Sequence, residues 1–443
     1  MIEKIIKRDG RVADFNREKI TLAILSAAIA VGGRDRETAE RVADDVVDRL
    51  ERRKQRGGYP TVEEVQDLVE KCLIERGHAR TAKAYIIYRY EHTLKRAGRE
   101  SLAYSSDNIP YQKLWNTLVW GVDHDCVMLS RLGRYVEGGR YTELVRLSED
   151  FYEQELEQAV GQILDRIEDV RMIIVSGPSS SGKTTTTIKI EQRLKQEGYA
   201  LVALNVDNYY HDLETHPKDT AGDYDYETPQ AIDLPLINRH IKALLKGDTV
   251  AVPNYNFKTG NREGVSAEMS LGRNEIILID SLHGMFEPMT EGIGEEKKFK
   301  LYIETLSQLK GEDGRFLRWA DVRMLRRMVR DTQFRNYNPR QTIMHWHYVR
   351  RSELRYIVSR LRQAHAIVNS FLPYELPIMK SRLGGLFPEF IDDFRKDSER
   401  EDAYERAVRV HEIFRQIPTW ADESVVPRFS LLREFIGGST YAY

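Results

Sequence analysis

Met172-Ile173-Ile174-Val175-Ser176-Gly177-Pro178-Ser179-Ser180-Ser181-Gly182-Lys183-Thr184 joins an apolar run to a glycine-bounded turn that ends in lysine and threonine. Gly177 to Thr184 fits G-x-x-x-x-G-K-[ST] at every fixed position, a match that chance supplies in only on the order of one chain in a hundred of this length. The run before it is of the kind found in strands buried on both sheet faces, and a helix is expected from about Lys183. A strand that feeds a glycine turn and then a helix places successive amides and a positive helix end around phosphate oxygens. Gly177, Pro178, Ser179, Ser180, Ser181, Gly182, Lys183, Thr184 and Thr185 are thus the expected nucleotide-phosphate site. Lys183 would reach the β and γ phosphates, and the Thr184 hydroxyl would ligate Mg²⁺.

Further strands are expected at residues 200–206 and 275–280, with a helix over 233–245 before the latter. This alternation predicts an α/β domain with a doubly wound parallel sheet and ligands at the C-terminal strand ends. Asp207 follows one strand, where a carboxylate could orient an acceptor hydroxyl or simply cap a helix. Asp280 closes another, where it could contact the metal or be a solvated strand end. The segment 321–335 sets Arg323, Arg326, Arg327, Arg330 and Arg335 at helical spacings. Their guanidinium forks suit a transferring phosphoryl group, although a solvated basic helix would look similar. His345 and His347 flank Trp346 in an H-x-H pattern without an evident carboxylate or cysteine partner, which favours packing over metal binding.

At the front of the chain a short strand over 3–7, a turn at Asp9-Gly10 and a return strand over 12–15 precede a helix that Asn16 could cap. Ile20, Ala23, Ile24, Ala27 and Ala28 share one face of that helix. Ala39, Val42, Ala43, Val46 and Leu50 define a second helix. Thr61-Val62-Glu63-Glu64 is a capping-box pattern opening a third that buries Val65, Leu68, Val69 and Leu73. A fourth runs through Ala82, Tyr85, Ile86 and Arg89. Residues 101–110 turn to Ser, Asp, Asn and Pro and read as a linker, after which 111–170 look helical.

The 443 residues suffice for two to four domains. Lys and Arg total 67 against 69 Asp and Glu, so the chain is no polycation for nucleic acid or anionic membrane. Cys72 and Cys126 alone build neither a disulfide framework nor a multi-cysteine zinc site. With no secretory leader in the charged N-terminus and no run near ~18 apolar residues, a cytoplasmic location is expected.

Residues 171–380 resemble the uridine kinase and phosphoribulokinase group of P-loop kinases. Beyond the phosphate loop, Asp207-Asn208-Tyr209-Tyr210 is similar to the family's Asp-x-Phe-Tyr, Tyr224-Asp225-Tyr226 to its ribose-binding motif, and Pro253-Asn254-Tyr255-Asn256-Phe257 to its base-holding motif. Arg326-Arg327-Met328-Val329-Arg330-Asp331 resembles the lid motif. The resemblance implies Asp207 as base, Lys183, Arg327 and Arg330 as phosphate clamps, and Thr184 and Asp280 as metal ligands. It implies Asp207, Tyr210, Asp225, Tyr255 and Arg262 around the acceptor, with ATP and Mg²⁺ as cofactors. Three positions depart from the pattern. Lys258-Thr259-Gly260-Asn261-Arg262 lacks the family's base-contacting histidine, Asp280-Ser281-Leu282 replaces Glu-Gly-Ile, and Tyr337 stands where a second lid arginine is expected. Leu431-Leu432-Arg433-Glu434-Phe435-Ile436-Gly437-Gly438-Ser439 is similar to the ending of a bacterial subgroup of uridine-kinase-like proteins and has no role that the sequence explains.

Residues 1 to about 95 resemble the ATP-cone, a small helical nucleotide-sensing module, through Lys7-Arg8-Asp9-Gly10, Phe15, Lys19-Ile20, the helix over 65–73, Ala82-Lys83-Ala84-Tyr85 and Tyr88-Arg89. The resemblance implies that Lys7, Arg8 and Lys19 bind ATP or dATP as effector. The expected organisation is therefore a regulatory module over 1–98, a helical linker region over 99–170, a kinase domain over 171–380 and a C-terminal helical extension over 381–443. A nucleoside kinase acting on a small-molecule substrate fits this set, with neither nucleic acid nor membrane as partner. A kinase for a sugar-phosphate or other small alcohol, and a catalytically weak nucleotide-sensing regulator, remain open. Coupling two nucleotide sites requires an effector that binds active and inactive states unequally, and a change of homo-oligomer is the expected vehicle.

Overall fold

The computed structural model describes residues 2–7, 10–31, 33, 35–54, 59–78, 81–82, 84–85, 109–216, 228–397 and 400–443. Arg8, Asp9, Lys83, the Tyr224-Asp225-Tyr226 motif, most of the linker and the distal part of the fourth expected helix, with Tyr88-Arg89, lie outside the described residues.

The N-terminal module pairs β1 (Lys4–Ile6) with β2 (Val12–Asp14) as an antiparallel hairpin, and three helices follow: α1 (Arg17–Ala30), α2 (Arg36–Lys54) and α3 (Val62–Glu75). Ile20, Ile24, Val42, Val46, Leu68 and Val69 bury the expected faces in one small core. The capping box is present: Glu64 N donates to Thr61 Oγ1 at 3.1 Å and Thr61 N donates to Glu64 Oε2 at 2.7 Å. Asn16 stands at the start of α1 but its side chain makes no capping bond; its backbone carbonyl takes the Lys19 amide instead.

After the linker come α4 (Tyr111–Asp123), α5 (Leu129–Glu137) and α6 (Tyr141–Leu164). They lead into β3 (Met172–Ser176), α7 (Lys183–Gln196), β4 (Ala200–Ala203) and α8 (Leu234–Leu244). A hairpin of β5 (Val250–Asn256) and β6 (Asn261–Met269) precedes β7 (Glu275–Asp280) and β8 (Lys298–Glu304). The chain continues through α9 (Trp319–Phe334), α10 (Pro339–Ser352), β9 (Ala366–Asn369), α11 (Glu375–Leu383), α12 (Leu386–Phe394), α13 (Glu401–Arg415) and the short α14 (Arg433–Ile436).

Five strands form one parallel sheet in the order β4-β7-β3-β8-β9, with β3 central and Ile173 facing Leu278 on one side and Phe299 on the other. The alternation of the pleat sends Ile173, Val175, Leu301 and Ile303 into the core shared with α6, α11 and α13. Ile174, Ile277 and Ile279 go to the opposite core with Ile237 and Ile241 of α8. Each such side chain contributes about 1.5–3 kcal/mol when fully buried, so the apolar runs hold the sheet in register. The strand expected to reach Val206 stops at Ala203. There Val206–Tyr209 tightens into a 3₁₀ turn because the Asn205 side chain accepts the Asp207 amide at 3.1 Å. Among the described residues no helix is long and apolar enough to cross a membrane.

Candidate active site

The C-terminal ends of β3, β4 and β7 lie on one edge of the sheet, which is where a doubly wound fold places its ligand. Gly177 starts the phosphate loop so close to β8 that a Cβ would collide with the Ile303 carbonyl oxygen. Ser180, with φ +59°, and Gly182, with φ +88°, both take left-handed conformations, which set the tight turns of the loop. The Ser180 and Ser181 hydroxyl oxygens are buried without a hydrogen-bond partner among the described residues, as befits a cradle shaped for phosphate oxygens. Lys183 Nζ donates to the Gly177 and Pro178 carbonyls at 2.9 and 3.2 Å. Its enclosure lowers its pKa, an effect that the carboxylate of Asp280 opposes.

Asp207 is solvent-exposed in the turn after β4, and partial desolvation raises its pKa above the ordinary aspartate value. Asp280 is raised as well, by burial first, with Lys183 opposing and the charges of Glu434 and Asp207 adding. The Thr184 hydroxyl lies at the exposed start of α7. Among the described residues no trio of acidic, histidine or cysteine side chains cages a metal. One hydroxyl and one carboxylate are nonetheless the donor set that Mg²⁺ accepts when waters and phosphate oxygens complete its octahedron.

The arginine-rich segment is α9, and its residues divide by burial. Arg323 is buried against Glu353, Glu304 and the Ser179 carbonyl, and Arg326 is fully buried on Glu375, at 2.6 and 2.9 Å, and on the Ser370 carbonyl. These two, expected from their forks alone as phosphate partners, are structural ion pairs. Arg327 and Arg330 remain beside the loop, both held by Asp331, and Arg327 Nη1 reaches the Ser179 hydroxyl at 3.2 Å. Arg335 stays exposed, 3.6 Å from Asp331. Glu353, which no sequence signal marks, accepts from the Ser179 amide at 3.0 Å and so braces the loop.

Beside Asp207, Tyr255 stands at the hub of an aromatic group, with ring centroids 5.5 Å from Tyr210, 5.0 Å from Phe257 and 6.4 Å from a nearly parallel His216. Arg262 is engaged within the protein. It binds Asp233 at 3.1 Å and the carbonyls of Tyr209 and Tyr210 at 3.1 and 2.9 Å, which fixes the turn carrying Tyr210. Asp225 and Arg8 are outside the described residues. Lys7 follows β1, its amide bonded to the Arg11 carbonyl at 2.7 Å, and Lys19 is exposed in the first turn of α1. His345, which is exposed, contacts the Tyr337 hydroxyl at 3.0 Å, and His347 lies 3.2 Å from Asp402, a carboxylate partner that the local sequence did not reveal.

Phosphate loop, flanking carboxylates and arginine helix together define a P-loop phosphotransferase site. Residues 172–375 match the model of the phosphoribulokinase / uridine kinase family, and residues 3–94 match the ATP cone domain. A uridine kinase of Deinococcus deserti is 32% identical over 198 residues, 44% of this chain and 86% of that protein. Uridine-cytidine kinase B of Dictyostelium discoideum is 28% identical over 36% of this chain and 58% of its own length. Among solved structures, a D-glycerate 3-kinase of Cryptococcus neoformans aligns with 46% of this chain and 87% of its own, at 12% identity and a TM-score of 0.31. The chain belongs to the phosphoribulokinase / uridine kinase family of kinases and carries an ATP-cone domain at its front.

Proposed function

We propose that the protein transfers the γ-phosphoryl group of ATP to the ribose 5′-hydroxyl of a nucleoside, under control of ATP or dATP at the ATP-cone. The observation that carries this reading is the convergence of Lys183, Asp207 and Asp280 on one sheet edge beside the aromatic group of Tyr210, Tyr255, Phe257 and His216. Flat rings suit a flat base, which favours a nucleoside over a sugar phosphate.

Asp207 accepts the proton of the acceptor hydroxyl as it attacks in line. Lys183, Arg327 and Arg330 stabilise charge on the equatorial oxygens, and the carboxylate of Asp331 keeps both arginines aimed. Thr184 and Asp280 would hold Mg²⁺, which when bound offsets phosphate charge.

Physical contact between module and kinase supports the regulatory part. Tyr59 N donates to Glu405 Oε2 at 3.1 Å, and Lys4 pairs with Glu401 at 3.7 Å, both on α13. Arg409 of the same helix grips Asp321 at 2.6 and 2.8 Å, in the first turn of α9, the helix that carries Arg327 and Arg330. A shift at the module thus has a short route to the phosphate clamp. Turnover of a nucleoside panel with and without dATP tests both halves. A chain that uses none of the nucleosides and ignores dATP contradicts the reading.

A further inference from the structure

The segment Ser430 to Tyr443, whose sequence motif has no role in the reaction described above, is built into the nucleotide site. Leu431, Leu432, Phe435 and Ile436 are buried in the kinase core, and Leu431 lies against Gly182 so closely that a Cβ there would strike it. Phe435 stacks 5.2 Å from the Arg326 guanidinium. Arg433 ties the segment to the carbonyls of Glu423 and Val426, both at 2.7 Å. Gly437 and Gly438, with φ +86° and +75°, then turn the chain back toward α7.

This scaffold delivers an anion to the phosphate-binding helix. Glu434 Oε2 accepts from the Thr185 amide at 3.1 Å and from the Thr185 hydroxyl at 2.8 Å, while the Tyr443 hydroxyl sits 3.0 Å from that same Thr185 oxygen. Thr185 is the third residue of α7, so its amide is one of the four that the helix leaves without an internal partner. Those amides, at the positive helix end, are what a phosphate chain takes. The carboxylate charge of Glu434 also acts on Lys183, Arg330 and Asp280. It therefore sits as an anion among the groups that receive phosphate, and a nucleotide's own negative charge must displace or tolerate it.

We propose that Glu434 is a built-in competitor for the nucleotide, and that the segment Ser430–Tyr443 holds its carboxylate on Thr185 as an intramolecular brake on ATP binding. The inference rests on the phosphate loop and is independent of the acceptor and of the ATP-cone.

The test measures Mg-ATP binding by calorimetry on the full chain without acceptor, with the Lys183→Ala chain reporting binding to the N-terminal module alone. Glu434→Gln is expected to tighten loop-dependent binding about tenfold, the scale of one charge-assisted contact no longer opposed. Amide hydrogen exchange on the wild-type chain gives a second readout that needs no variant and decides alone if Glu434→Gln does not fold. Mg-ATP is expected to speed exchange at Thr185's neighbours on the strap, residues 431–443, by loosening the latch. Unchanged or weaker binding by Glu434→Gln, or exchange in 431–443 that slows or stays constant with Mg-ATP, overturns the proposal.

Discussion

Arg327 donates through Nη1 to the Ser179 hydroxyl at 3.2 Å while its Nε is held by Asp331 at 3.1 Å, so one guanidinium bridges helix α9 and the phosphate loop. Replacing Arg327 with Ala is expected to lower kcat by roughly 10²-fold, the usual cost of one preorganised donor. Arg327→Lys is expected to recover little, because a point charge cannot hold Ser179 and Asp331 through a rigid fork. Steady-state kinetics on both variants checks this, and full activity in Arg327→Lys would contradict the bridging role.

For the base, Asp207→Asn is expected to cut phosphoryl transfer by roughly 10²–10⁴-fold while leaving ATP binding nearly intact. Desolvation raises the Asp207 pKa, and the proposed base role requires its unprotonated form. Activity is therefore lost on acidification, with its midpoint above the ordinary aspartate range. A kcat/KM profile that stays flat down to that range, or an Asp207→Asn chain with undiminished turnover, would contradict the assignment.

Much of this site was legible because the phosphate loop, Asp207, Asp280 and the arginine segment sit at strand ends or helix spacings that the sequence displays. The division within the arginines was not legible. Helical spacing makes Arg323, Arg326, Arg327 and Arg330 equivalent, and the buried Glu304, Glu353 and Glu375, brought from distant segments, separate the first two as ion pairs. Strand β8 was hidden by Lys298 and Lys300, which interrupt its apolar pattern yet are buried and neutralised by Glu295 at 2.8 and 2.6 Å. Strand β9 has only four residues, too few for periodicity to reveal. Glu434 was visible as part of a motif, but nothing local pointed to Thr185, 249 positions earlier.

The Arg326–Glu375 pair makes a prediction about stability. Both side chains are fully buried, so Glu375→Ala leaves an uncompensated guanidinium in the core and is expected to cost about 3–5 kcal/mol. Urea unfolding checks it, and a loss well under that range would mean that water or another acceptor reaches Arg326.

In the ATP-cone domain, the proposed regulation predicts that Lys7→Ala combined with Lys19→Ala abolishes the response of activity to dATP while leaving kcat without effector near the wild-type value. Activity assayed across a dATP series decides the matter. A response that persists at wild-type strength would place the effector elsewhere.

The most direct test of the central claim is ADP release by the full chain with Mg-ATP, surveyed over ribo- and deoxynucleosides and ribulose 5-phosphate. The account predicts turnover with at least one nucleoside, lost in Asp207→Asn. Turnover with ribulose 5-phosphate alone, or with no acceptor at all despite tight ATP binding, would contradict it.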